Sequence, residues 1–223
     1  LLSAIRLVNT IRVVSSRVGR MPETPSASAQ PPHRRRSASS RRAILDASLD
    51  LCADQGYGPV TVEAIAARAG VSKKTIYRWW PSKGAVVLEA LDDAANPAAD
   101  FPDSGDLLED LVVQMEGLVR GLFSDRRFGP ALVGLIADTQ HDPMLARGLV
   151  DDLFGPRVED ARRRLVKARD VGQISQDADP NLVIELLYAP LYYRLLLHQG
   201  DLHDTTELRV LIEHVMRAVA PKT

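Results

Sequence analysis

A chain of 223 residues with 45% hydrophobic content can enclose one large core or two modest ones, and its lone cysteine, Cys52, excludes an internal disulfide and points to a reducing, cytoplasmic compartment. The net charge of −1 hides an asymmetry: residues 1–83 carry 14 Lys and Arg against 5 Asp and Glu, whereas residues 84–223 carry 14 against 24. A basic first part on an acidic remainder suggests a polyanionic partner for the first part alone.

Residues 1–20 are apolar but interrupted by Arg6, Arg12 and Arg17, well short of the roughly 20 apolar residues that cross a bilayer. They are read as an upstream extension or a misplaced start, and no membrane partner is expected. Residues 22–40, rich in Pro, Ser and Ala, are expected to form a flexible tail. From Arg41 the pattern becomes helical. Ile44, Leu45, Leu49 and Cys52 recur at three and four, which makes Cys52 a buried thiol, and Gly56 and Gly58 end this first helix. A second starts from Thr61 as cap, buries Val62, Ile65 and Ala66, and stops at Gly70. Ser72 caps a third, through Lys73 to Trp80, which ends before Pro81, and Ser82 opens a fourth with Val86, Val87, Ala90 and Leu91 on one side.

The stretch "NPAADFPDSG", residues 96–105, reads as a linker. Further helices are expected at about 105–124, 127–139, 143–169, 180–199 and 204–219, the fourth of these capped by Asp179 before Pro180 and kinked at Pro190. No segment alternates as a strand does, so the fold class is all-α.

Helices two and three, joined by a turn at Gly70, form a helix-turn-helix, whose second helix can lie in the major groove of DNA. Ile76 and Trp80 are four apart and should face the core. Lys73, Lys74 and Tyr77 occupy the opposite surface, with Thr75, Arg78 and Trp79 at its margins. Trp79, rotated about 100° from Trp80, reaches either the DNA-facing margin or the fourth helix. Lys83, near a helix start, is a candidate phosphate ligand. The arm "HRRRSASSRR" either follows the DNA backbone or is simply solvated.

Residues 41–91 closely resemble the DNA-binding domain of the TetR/AcrR family of bacterial transcriptional regulators: "ILDA", the "GY" turn, the "IAARAGVSKKTIY" core and the "PSK" that opens the fourth helix all match without a gap. The family usually has His-Phe where this chain has Trp79-Trp80. The segments "DRRFGPALVGLIADTQHDPMLARGL" and "DADPNLVIELLYAPLYYRLLL" are similar to C-terminal regulatory domains of the same family. The resemblance implies a three-helix DNA-binding domain joined through a fourth helix to a larger helical domain that dimerises. The corresponding limits are 1–37 for an extension with basic arm, 38–84 for the DNA-binding domain, 85–103 for the connection and 104–223 for the effector-binding and dimerisation domain. It further implies a homodimer on a double-stranded palindromic operator, repression, and release by a small apolar or aromatic effector. The DNA-binding set is Arg41, Thr61, Ser72, Lys73, Lys74, Thr75, Tyr77, Arg78, Trp79 and Lys83. Candidate effector contacts are Met115, Phe123, Phe128, Met144, Tyr188 and Tyr192. Candidate dimer contacts on the last two helices are Leu187, Leu191, Leu195, Leu211 and Val215.

Two other classes compete. His33, His141, His198, His203 and His214 are scattered, and neither a metalloprotease, dinucleotide, P-loop nor nucleophile-elbow motif is present, so neither an enzyme nor a metal or other cofactor is expected. A helical small-molecule-binding module without specific DNA regulation would account for the C-terminal half but leaves the cationic helix-turn-helix unexplained.

Overall fold

The structure, a computed structural model, describes residues 32–95, 101–123, 125–197 and 206–221, and of 32–36 and 121–123 the backbone alone. Every regular element among these residues is helical. Backbone contacts divide the chain into Leu1–Arg41 and Arg42–Thr223. Every buried core residue lies in the second unit.

The first four helices are α1 (Pro32–Gln55), α2 (Val62–Ala69), α3 (Lys73–Tyr77) and α4 (Lys83–Ala94). The helical run begins nine residues before Arg41, where the composition suggests a flexible tail. Proline suits a first helical turn, and the Arg, Ala and Ser that follow it are all compatible with a helix. Residues 22–31 of that tail lie outside the described residues. The caps follow the sequence: Thr61, Ser72 and Ser82 each accept the backbone N–H three residues on, and Gly70 takes a left-handed φ of 66°. α3 is shorter than its expected reach to Trp80. Pro81 disfavours helical geometry at the residue before it, and the chain tightens so that the amides of both Trp79 and Trp80 donate to the Ile76 carbonyl.

The next elements are α5 (Leu107–Phe123), α6 (Phe128–Thr139), α7 (Pro143–Gly148), a π-helical segment Leu149–Phe154, α8 (Gly155–Asp170), α9 (Pro180–Leu197) and α10 (Thr206–Ala218). The helix that the pattern predicts over 143–169 is present as one continuous helical run, in which the hydrogen-bond ladder changes to π-type between α7 and α8. Pro156 lacks the N–H that would bond Asp152, and the ladder widens just before it, with the Gly155 amide donating to Val150. Asp179 accepts from the Asn181 amide at 2.9 Å and caps α9, which runs on through Pro190.

Two apolar cores form. The first joins α1–α4 to α6, α7 and the π-helical segment, through Ile44, Leu45, Ile65, Ile76, Trp80, Leu91, Phe128, Leu132 and Leu153. The second joins α5, α8, α9 and α10, through Leu111, Met115, Leu165, Leu187 and Ile212. Each fully buried aliphatic or aromatic side chain contributes about 1.5–3 kcal/mol. The helix-turn-helix thus shares its core with α6 and α7 instead of standing alone.

Among the described residues one pair of charged groups is deeply buried. Arg164, on α8, donates to Asp110, on α5, at 2.6 Å, with both side chains almost inaccessible. Burial alone would raise the Asp110 pKa, but the Ser104 N–H and O–H and the Arg164 guanidinium outweigh it and hold the carboxyl below its ordinary value.

Candidate nucleic-acid interface

The surface is built from its caps outward. Thr61 Oγ1 accepts from the Ala64 amide at 3.1 Å, and Ser72 Oγ accepts from the Thr75 amide at 3.2 Å while meeting Thr75 Oγ1 at 3.0 Å. Both hydroxyls therefore fix helix starts. Ile76 is wholly buried and pins α3 from beneath, which leaves its other side outward. There Ser72, Lys74, Thr75, Tyr77 and Arg78 line a shallow depression of about 420 Å³. Lys74 and Arg78 are exposed and Tyr77 is 54% exposed. This surface offers two cations and several hydroxyls, the groups that meet phosphate oxygens and base edges.

Lys73 stands apart from the depression: its ammonium lies 2.8 Å from Glu63, and that bond and charge raise its pKa. An exposed pair of this kind is cheaply exchanged for a phosphate. Arg41, exposed, lies on α1 in the first unit.

The two tryptophans separate as their spacing suggests. Trp80 is 3% exposed and donates its indole N–H to Glu89 at 2.6 Å. Trp79 is half-buried, stacks edge-on against Trp80 at 5.4 Å between centroids, and carries the Arg78 guanidinium over its ring at 4.8 Å. Trp79 thereby holds Arg78 at the depression that it lines.

Lys83, the candidate phosphate ligand, is engaged within the chain. Its ammonium donates to the carbonyls of Tyr57 and Gly58 at 3.3 and 3.1 Å and lies over the Tyr57 ring at 4.3 Å. Tyr57 in turn donates to Asp138 of α6 at 2.5 Å. Burial first, then this bond to a carboxylate, pushes the phenol pKa well above its ordinary value. Sequence reasoning misses the Lys83–Tyr57–Asp138 chain. Its one signal is the "GY" turn, which gives no hint of a partner 81 residues away.

The effector candidates do not converge. Met115 and Tyr188 belong to the second core, Phe128 and Tyr192 to the first. Met144 is 71% exposed, because the short α7 turns Leu145 inward and Met144 out. The Phe123 side chain lies outside the described ones. Tyr188 donates to Gln114 at 2.8 Å, Tyr192 stacks edge-on with Phe154, and burial pushes the Tyr192 phenol up to about 12.

The dimer candidates also need correction. Leu187, Leu191, Leu195 and Val215 are buried in this chain's own cores, and Leu211 is partly buried there. The side of α9 turned away from the core carries Leu182, Leu186, Tyr193, Leu196 and Leu197, all 39–59% exposed. Both sides of α9 are apolar, and periodicity alone cannot say which side faces inward.

Among the described residues no helix is long and apolar enough to cross a membrane, and no group of His, Cys, Asp and Glu is placed to hold a metal.

Comparison with known proteins agrees with this geometry. Residues 44–90 match the family described as bacterial regulatory proteins, tetR family, and residues 101–215 match the tetracyclin repressor-like C-terminal domain. The HTH-type transcriptional regulator YdeS of Bacillus subtilis is 35% identical over 83% of this chain and 92% of its own length. The DNA-binding transcriptional repressor TetR of Mycobacteroides abscessus is 30% identical over 80% and 93%. The crystal structure of the TetR family transcription regulator SCO0332 superposes with a TM-score of 0.63 at 32% identity, covering 82% of this chain and all of that one. A capped, core-pinned helix-turn-helix with a cationic outer side, continuous with a helical C-terminal domain, and relatives of this identity over most of their length lead to one conclusion: the chain belongs to the TetR family of DNA-binding transcriptional regulators.

Proposed function

We propose that this chain is a cytoplasmic repressor that binds a palindromic operator as a homodimer and leaves it when a small apolar or aromatic effector binds. The carrying observation is the outward row of Lys74, Tyr77 and Arg78 on a helix pinned by Ile76. One such helix spans few base pairs, so useful specificity needs two copies on related half-sites. The exposed apolar stripe of α9, Leu182–Leu186–Tyr193–Leu197, supports self-association, since it offers the contiguous apolar surface that an obligate interface buries. Repression is supported by the Mycobacteroides abscessus relative, which is a repressor.

Release requires an effector that binds one head arrangement better than the other; a coupling of about 1–3 kcal/mol changes DNA affinity roughly 5- to 150-fold. Tyr188 and Tyr192 stand one turn apart on α9, one packed against each core. An apolar molecule entering beside them would move the first core, which holds the reading head, relative to the second. The Lys83–Tyr57–Asp138 chain would carry that movement to the turn after α1.

Selection from random duplex DNA with the full chain tests this reading. An enriched inverted repeat, bound by two protomers, is the expected result. Enrichment of nothing, or of a single half-site bound by one protomer, would overturn it.

A further inference from the structure

The tryptophans border a second surface, distinct from the depression on α3. A groove of about 730 Å³ runs along residues 79–92 and faces the start of α7, the π-helical segment and Pro156. Trp79, Trp80, Leu88 and Leu145 supply its apolar lining, and Met144, 71% exposed, stands at its edge. An exposed methionine beside indole rings is an adaptable apolar contact.

The groove's charged lining is all acidic. Two of its acids are engaged: Glu89 accepts from the Trp80 indole, and Asp142 caps α7 through the amides of Met144 and Leu145. Asp92, Asp151 and Asp152 are exposed and form no ion pair with a described cation. Such a surface repels DNA phosphates, and its composition differs from the cationic depression only a few residues away. Water and salt suffice for carboxylates alone, but Trp79, Leu88 and Met144 leave apolar surface uncovered in the same groove, where Trp80 and Leu145 form the buried floor.

We propose that this groove is a binding site for an apolar organic cation, such as a quaternary ammonium or phosphonium carrying aromatic groups. Its charge is held by Asp92, Asp151 and Asp152 and its apolar groups lie against Trp79, Leu88 and Met144. Charge complementarity selects the occupant: an anion or a neutral apolar molecule leaves the carboxylates unmatched, and an inorganic cation leaves the apolar lining wet. The site does not depend on the operator or on the effector release described above.

The chain's two tryptophans both line the groove, so intrinsic fluorescence reports on it directly. The full chain, without DNA, is titrated with tetraphenylphosphonium and, separately, with tetraphenylborate, which has the same shape and the opposite charge. A saturable fluorescence change is expected with the cation, with the anion weaker by at least about tenfold. Asp151→Asn/Asp152→Asn should weaken the cation several-fold, by up to about fivefold per carboxylate, with unchanged helical circular dichroism. Asp92→Asn, one exposed side chain on α4, should weaken it in the same direction. Equal affinity for the two ions, undiminished affinity in the substituted chains, or calorimetric binding without any tryptophan response would overturn the proposal.

Discussion

Gly134→Ala probes the seam between the reading head and α6. A Cβ at this helical position would lie 2.0 Å from Tyr57 Cβ and 2.4 Å from its Cγ. Ordinary carbon contacts are about 3.5–4.0 Å, so a gap of more than about 1 Å must be opened. Tyr57 cannot swing aside at low cost: it is 6% exposed, its hydroxyl is bonded to Asp138, and Lys83 sits on its ring. The obstructing atom is next to the backbone, so the 56–58 turn itself must move. Alanine gains about 0.5–1 kcal/mol over glycine in a helix, whereas overpacking a core costs about 1–3 kcal/mol or more. With a clash this close the second effect wins, for a net loss of about 2 kcal/mol and a Tm lower by about 4–8 °C. Gly117→Ala on α5 is the control: nothing lies within 4 Å of its would-be Cβ, so only the helix gain applies. Calorimetric or dichroic melting should show Gly134→Ala falling and Gly117→Ala holding or rising. A Gly134→Ala chain as stable as the parent would refute the close packing of Tyr57 on α6.

Arg164→Ala should cost about 3–5 kcal/mol in denaturant titration, since it strands a buried Asp110 carboxylate. Because the folded Asp110 pKa lies below its unfolded value, its contribution is present above about pH 4 and is lost as pH falls through the folded value; Asp110→Asn should remove that part of the acid slope. Burial pushes the Cys52 thiol up to about 11 and its residue is 0% exposed, so an aromatic disulfide reagent at pH 8 should react only after denaturant is added, and prompt native reaction would contradict the packing of α1. If the outward stripe of α9 forms the proposed dimer contact, Leu186→Glu should leave a monomer in sedimentation with helicity intact, whereas Leu187→Glu, one residue on and fully buried, should unfold the second core.

The helix-turn-helix is the most legible part of the sequence because its signals are local. Caps at Thr61, Ser72 and Ser82 and a left-handed Gly70 act within one turn of chain, and the Ile76/Trp80 spacing assigns the inner side. The features that the sequence hides are decided at long range. Leu187 and Leu186 are equally apolar neighbours, and only the packing of α5, α8 and α10 determines that the first turns inward. Lys83 reads as a cation at a helix start, yet the Tyr57 ring and two carbonyls across a turn claim it. The π-helical segment between α7 and α8 follows from one missing N–H at Pro156, which widens the ladder upstream within a continuous helical run, a change that a hydrophobic pattern does not show. The effector candidates stand out by size and polarity, yet the fold puts Phe128 and Tyr192 in one core, Met115 and Tyr188 in the other, and Met144 on the surface.

If Lys74, Tyr77 and Arg78 form the DNA-reading surface, an equilibrium titration of the parent and Lys74→Ala chains on a selected duplex, at several salt concentrations, should show it. With Lys74 on a phosphate in both protomers, the substitution should weaken binding without altering the fold and flatten the log–log salt slope by about 0.9 for each phosphate no longer met, or about 2 per dimer. Unchanged affinity and slope in Lys74→Ala would contradict this assignment and move the DNA contact away from α3.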